Sequence, residues 1–426
     1  MMPLLANLAG YNGSMLDANT FILLIALACV VSMLTKWLRI PYTIALVLMG
    51  LIVSLTGQHA GMHLTEELLL SVFLPALLFE AAWNLHLRYL KDHWLPIVVL
   101  SILGLLISIA AVGFSLSWGL QYPLLISLLF GAMISATDPV SVIALFRQLN
   151  LSPRLATIVE AESLFNDGTA VVAFQLILGL VLAGTAIQSP GILAITGMTQ
   201  FFEVAIGGVL VGCAYGLFFS WLISKFNDHL LELMFTVLVA YGSFITADQI
   251  GLPGAASIHL SGVLATVSAG LVMGGICEKQ GISDSTLSVI NSFWEFAAFF
   301  VNSLLFLLIG LTIHVGFLMA HWQAVGIAIV AVLFARAFSV FALVPLLNRF
   351  TRKKPISLSW QTVLVWGGLR GALSMALALS LPKTMPERPL ILAMVFGVVL
   401  FSLIVQGLSI PALLKKLGLY RPAKVF

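Results

Sequence analysis

Apolar residues run through this chain in stretches of about twenty, parted by short polar turns. That pattern dictates helices that cross a bilayer rather than a single water-soluble core. Bounded by proline, glycine or charge, the runs predict thirteen helices: 18–37, 41–57, 66–85, 95–118, 122–148, 154–184, 199–225, 230–249, 255–277, 287–313, 321–348, 358–381 and 388–416. The short loops keep successive helices antiparallel.

Two runs carry a break at mid-membrane. In the fifth, Ser135-Ala136-Thr137-Asp138-Pro139 holds a proline that has no N–H to donate and pushes Asp138 out of the α region. In the twelfth, Gly367-Gly368-Leu369-Arg370-Gly371 places three glycines around a charge. The interruptions are seven runs apart, which sets them at matching places in two inverted six-helix repeats, runs 1–6 and 8–13, with the seventh as linker. Paired interruptions in opposed halves point to a transporter's binding site. No residue-level repeat is visible, so the symmetry rests on topology. Asp138 would offset the positive N-terminal ends of the facing half-helices and Arg370 the negative C-terminal ends.

Composition agrees with an all-α polytopic membrane protein. Of 426 residues 61% are hydrophobic and 9% charged, against ~25% charged in a soluble domain. Basic residues are scattered over short loops rather than gathered in a patch, which argues against nucleic acid as a partner. Cys29, Cys213 and Cys277 lie in or at the ends of runs with no ligand-like spacing, so neither disulfides nor a metal cluster is expected. No basic stretch precedes the first apolar run, so a cleaved signal peptide is not expected. The positive-inside rule sets the orientation. With the N-terminus outside and the C-terminus cytoplasmic, sixteen Lys and Arg fall in inner loops and the inner tail; only Lys383 and Arg388 fall outside.

The acidic cluster Glu160-Ala161-Glu162-Ser163-Leu164-Phe165-Asn166-Asp167-Gly168 lies in the sixth run. Charged carboxylates near a bilayer centre cost about 2.5–3.5 kcal/mol each, so packing alone would not retain them. Ser163 and Asp167 share one helix face and Glu162 and Asn166 another. Asp167 lies ~20 Å along the helix from Arg154, close to the midplane. Asp138, Asp167, Arg336 and Arg370 reach similar depth by counting from their run ends, and that coincidence marks a site. Glu162 and Arg336 read as a buried ion pair joining two helices. Glu80, in Phe73-Leu74-Pro75-Ala76-Leu77-Leu78-Phe79-Glu80, faces either a cavity or the inner headgroups. Glu295 reads as an interfacial or packing residue and His259 as a satisfied helix histidine. Glu203, Asp248, His59 and His63 read as solvated.

Asn166-Asp167 taken with Ser135-Ala136-Thr137-Asp138-Pro139 resembles the NhaP-type sodium/proton antiporters, relatives of the eukaryotic sodium/hydrogen exchangers. The segments Glu162–Ala170, Phe73-Leu74-Pro75, His259-Leu260-Ser261-Gly262, Asn302–Phe306, Ala335-Arg336-Ala337 and Gly367–Ala372 extend the resemblance over nearly the whole membrane region. The resemblance implies a homodimer in the cell membrane. Scaffold helices (about 18–85 and 230–313) would flank a mobile core (about 95–184 and 321–416), with 199–225 between them. It implies that Asp167 is the exchanging carboxylate and that Asp138, the Thr137 backbone, Ser163 and Glu80 lie on or near the cation. Glu162, Asn166 and Arg336, together with Arg370 at the helix crossing, would hold the core. Asn166, where electrogenic relatives carry Asp, implies one cation per proton. A long cytoplasmic regulatory tail like that of the eukaryotic exchangers is not expected.

The chemistry implied is competition at one carboxylate. Hard Na⁺ or Li⁺ takes oxygen ligands, which Asp167, the Ser163 hydroxyl, a carbonyl freed near Pro139 and water can supply. A proton on Asp167 removes the charge the cation needs. Burial favours a protonated carboxyl and a bound cation an ionised one, so such a group can load and unload in turn. No cofactor and no ATP are expected, because no Walker-type loop occurs. K⁺/H⁺ exchange and a cation channel without proton coupling are the alternatives. An intramembrane enzyme is disfavoured, because neither a Gly-x-Ser-x-Gly nor a His-Glu-x-x-His motif is present.

Overall fold

The computed structural model describes residues 18–38, 40–56, 65–85, 87–148, 151–183, 190–226, 228–252, 255–277, 284–350 and 355–419. Nearly all of them are helical. In chain order the first helices are α1 (Ala18–Leu38), α2 (Tyr42–Leu55), α3 (Leu68–Asn84), α4 (Leu87–Asp92) and α5 (Trp94–Leu120). Next come α6 (Leu124–Ser135), α7 (Val140–Gln148), α8 (Pro153–Leu182), α9 (Pro190–Ile223) and α10 (His229–Gln249). The remainder are α11 (Gly262–Cys277), α12 (Asp284–Thr312), α13 (Val315–Ala320), α14 (Trp322–Phe350), α15 (Leu358–Trp366), α16 (Ala372–Leu379) and α17 (Arg388–Lys416). Among the described residues α5, α8, α9, α10, α12, α14 and α17 are long and apolar enough to cross a membrane.

Local chemistry sets the ends. Asp228 caps α10, its Oδ1 accepting from the N–H groups of Leu230 at 2.9 Å and Leu231 at 3.3 Å. Ser357 Oγ does the same for α15 by accepting from Trp360. The apolar run over 255–277 is not one helix. Its first part is a strand, β2 (Ala255–His259), antiparallel to β1 (Gly251–Leu252), with Gly251 opposite His259. Ser261 Oγ accepts from the Leu264 N–H at 3.2 Å and so starts α11 only at Gly262. His259 therefore ends a strand, and its Nδ1 meets the Asp248 carbonyl. The seventh run also starts earlier than its apolar residues suggest, at Pro190, a residue suited to the first helical position. Three helices widen to π geometry, at Leu68–Phe73, Val99–Gly104 and Ser402–Gln406. Pro75, Pro96 and Pro411 lie near these turns, where a missing N–H disturbs the ordinary ladder.

Packing sorts the helices into two sets. In one, α2 lies on α12, and α3, α9 and α10 lie on α11. In the other, α5 lies on α6 and α14, α8 lies on α6, and α17 lies on α14 and α16. Without hydrophobic drive between helices in lipid, close approach needs small residues. At the α2–α12 crossing a Cβ on Gly50 would overlap the Leu307 carbonyl, and one on Gly310 the Val47 carbonyl. The two sets meet where α8 touches α3, α9 and α11 and where α16 touches α12.

Candidate functional site

Between α6 and α7 the chain is extended, with Ala136 at φ −59° and ψ 143°. Pro139 enforces this, because its ring excludes Asp138 from helical angles. The matching gap between α15 and α16 falls on the glycine-rich stretch around Arg370. The two gaps cross and bond: the Asp138 N–H donates to the Leu369 carbonyl at 2.8 Å.

Each broken helix leaves unsatisfied ends carrying partial charge. At the C-terminal end of α6, Arg370 Nη1 donates to the carbonyls of Ser135 at 2.6 Å and Ala136 at 2.8 Å. At the C-terminal end of α15, Arg336 Nε and Nη2 donate to the Leu364 carbonyl at 3.2 and 3.1 Å. The N-terminal ends of α7 and α16 meet Asp138 instead. Its carboxylate accepts from the Val140 N–H at 3.0 Å and from the Ala372 N–H. The approach is close enough that a Cβ on Gly371 would overlap the Asp138 carboxylate. Arg370 is held from behind by α17: its N–H donates to Ser402 Oγ at 3.0 Å, and Gln406 Nε2 donates to the Trp366 carbonyl at 3.2 Å. Both side chains sit on the π turn of α17.

α8 runs beside this crossing. Asn166 grips the gap with both ends of its amide, Oδ1 accepting from the Thr137 N–H at 3.2 Å and Nδ2 donating to Thr137 Oγ1 at 2.7 Å. Ser163 Oγ lies 2.9 Å from Thr137 Oγ1 and also meets the Thr137 carbonyl. One turn away, Glu162 and Arg336 form a two-pronged pair, Nη1–Oε1 at 2.6 Å and Nη2–Oε2 at 3.0 Å, with Glu162 only 2% exposed.

A cavity of about 250 Å³ opens between the two helix sets. Asp138, Asp167, Thr137 and Glu80 line it, as do Glu160, Asn302 and Ser374. Of the predicted cation contacts, these include all but Ser163, which is 1% exposed and lies behind the wall against Thr137. Glu80 faces this cavity, and its Oε1 accepts from Asn84 Nδ2 at 2.7 Å. Glu295, Glu203 and Asp248 are exposed, while His59 and His63 lie outside the described residues. Sequence reasoning assigned no role to Ser402, Gln406 or Ser374. A lone hydroxyl or amide in an apolar run was the available signal.

A cavity at a crossing of two broken helices, with four carboxylates on its wall and Asp138 at the crossing itself, suits a small dehydrated cation that competes with protons. Comparison with known proteins agrees. The model of the family described as "Sodium/hydrogen exchanger, transmembrane" matches residues 22–416. The Na⁺/H⁺ antiporter ApNhaP of Aphanothece halophytica is 44% identical over 89% of this chain and 70% of its own length. The low-affinity Na⁺/H⁺ antiporter NhaS1 of Synechocystis is 40% identical over 95% of this chain and 75% of its own length. The structure of the sodium proton antiporter MjNhaP1 from Methanocaldococcus jannaschii superposes with a TM-score of 0.75, at 23% identity, over 93% of this chain and 97% of that one. That likeness supports the fold.

Proposed function

The chain belongs to the sodium/hydrogen exchanger family, and from that premise we propose that it exchanges Na⁺ (or Li⁺) for H⁺ across the membrane, one for one, by alternating access. The observation that carries the reading is that Asp167 and Asp138 share one cavity wall at a crossing of two broken helices. Asp167 binds either a proton or the cation. Asp138, anchored by the N–H groups of Val140 and Ala372, contributes charge and helix-end geometry. Thr137 supplies backbone at the gap and Ser163 sets its position. Glu80 sits along the path. Glu162, Arg336, Asn166 and Arg370 keep the crossing rigid, so that the site travels as one body.

The division into a scaffold and a moving core is supported by the two packing sets and by the cavity lying between them. The reading includes thirteen membrane crossings in two inverted repeats, a homodimer, and a cell-membrane location with the N-terminus outside. Under that orientation the cavity opens inward, because its lining runs from Asp167 toward Glu160 and Ile143, on the Arg154 side. Reconstituted protein is expected to move protons when Na⁺ or Li⁺ is added. Asp167→Asn, well folded, is expected to move none; normal exchange by that variant would overturn the assignment.

A further inference from the structure

We propose that the Ser374 hydroxyl is a ligand of the transported cation, closing the Asp138–Asp167 site from α16; this rests on the exchange reading above. Thr137 Oγ1 is engaged with Asn166 and with Ser163 Oγ, so the other neutral side-chain oxygens on the cavity wall are those of Asn302 and Ser374. Ser374 is 1% exposed, lines the same cavity as both aspartates, and its Oγ has no hydrogen-bond partner among the described residues. Many hydroxyls in this bundle bond back to a carbonyl three or four residues earlier, as Ser108 and Thr169 do. Ser127, Ser135, Ser220 and Ser243 also have a buried Oγ without a partner among the described residues, but of the five only Ser374 lines the cavity, where an unpaired hydroxyl is free to take a ligand.

Its position says what. Gly371, the residue that precedes α16, presses on the Asp138 carboxylate, and Ser374 lies three residues on, in the first turn of that helix. Ser374 therefore borders the cavity that the two carboxylates line, with its Oγ buried in the wall. A hydroxyl there offers lone pairs to a hard cation. When the cation leaves, its proton can turn toward an ionised carboxylate. The same atom serves both halves of the cycle without changing charge.

The test uses full-length protein in proteoliposomes, with Na⁺ and Tl⁺ as nitrate salts and melting shifts in detergent as a second readout. Ser374→Ala is expected to raise KM for Na⁺ about tenfold, as for loss of one strong polar contact, and to raise KM more than it lowers the maximal rate. Ser374→Cys, nearly the same size, replaces a hard oxygen with soft sulfur and is expected to shift preference from Na⁺ toward Tl⁺ in both transport and melting. Ser374→Thr restores the hydroxyl and is expected to recover most of the Na⁺ affinity. A Ser374→Ala protein with wild-type KM, or a Ser374→Cys protein with wild-type Tl⁺/Na⁺ preference, overturns the proposal. If Ser374→Ala does not fold, the Cys and Thr variants decide. Wild-type protein without Na⁺-driven exchange, or an active Asp167→Asn, would overturn the exchange reading and this inference with it. A dead Asp167→Asn beside an unaffected Ser374→Ala overturns this inference alone.

Discussion

The polar residues of α8 fall into two groups that the fold treats in opposite ways. Glu160, Leu164 and Asp167 look into the cavity. Glu162, Ser163 and Asn166 do not line it, are almost wholly buried, and are bonded to Arg336 for the acid and to Thr137 for the other two. A buried charge with a two-pronged partner is fixed in one state, because losing either half leaves the other stranded. A carboxylate on a cavity wall can change state, because water and ions reach it. One group is thus a frame and the other a switch, and only about half a helical turn separates them.

Substitutions that interchange those roles give the largest expected effects. Asp167→Asn is expected to abolish exchange yet leave the melting temperature near that of wild type, because Asp167 is in no ion pair among the described residues. Glu162→Gln and Arg336→Gln should do the reverse in kind, each destabilising by ~3–5 kcal/mol. The pair replaced together should lose less than the sum of the singles. Melting of both singles and the double in detergent checks this. Additive losses would mean that the two residues do not meet, and that the contrast between the groups is false.

Smaller effects test how the crossing is held. Gly371→Ala puts a methyl group against the Asp138 carboxylate. It is expected to destabilise by about 1–3 kcal/mol, in the range of overpacking, and to weaken Na⁺ binding, because Asp138 must move. Ser402→Ala leaves the buried Arg370 N–H without its acceptor and is expected to cost about 1–2 kcal/mol. Its effect on Na⁺ affinity should be weaker than that of Gly371→Ala. Melting curves and Na⁺ titrations on the two variants would rank them. A larger affinity loss for Ser402→Ala would place the control of the site in α17 rather than at the Asp138 contact.

What the sequence makes legible follows from cost. Charges inside a bilayer are expensive, so Asp138, Asp167, Glu162, Arg336 and Arg370 stand out against apolar runs and point to one depth. Proline and paired glycines break helices for steric reasons that need no tertiary context, and both breaks fall where the residues dictate. Neutral polar side chains carry no such signal. A serine in a helix can satisfy itself on its own backbone, so nothing in the string separates Ser402, which holds Arg370, from Ser108, whose Oγ donates to Gly104 in its own helix. For the same reason the contact between Ser163 and Thr137, two residues expected on or near the cation, was not legible, whereas Asn166 was expected to hold the core. The β1–β2 pair was hidden because five apolar and small residues before Gly262 suit a strand or a helix equally, and a cap at Ser261 decides.

The finest test of the contrast concerns charge rather than strength. Asn166 stands beside Asp167 but faces Thr137, with both ends of its amide in use. It neither titrates nor reaches the cavity. Glu162 is tied to Arg336 by the two-pronged pair. If the frame stays fixed in this way, Asp167 alone cycles, and one Na⁺ moves for each H⁺. No net charge then crosses. The Na⁺/H⁺ balance point is expected not to move with membrane potential, whereas a one-charge imbalance would be worth ~2.3 kcal/mol per 100 mV. Proteoliposomes with a K⁺ diffusion potential set by valinomycin, compared at zero and at about 100 mV, make the measurement. Asn166→Asp sharpens it. That change removes the Nδ2 donor to Thr137, sets a second carboxylate beside the gap, and is expected to loosen the clamp. If the wild-type balance point shifts with voltage, a second group is cycling on the wet side, with Asp138 or Glu80 the first to replace. If it stays fixed in wild type and shifts only in Asn166→Asp, then the neutrality of that one amide sets the stoichiometry.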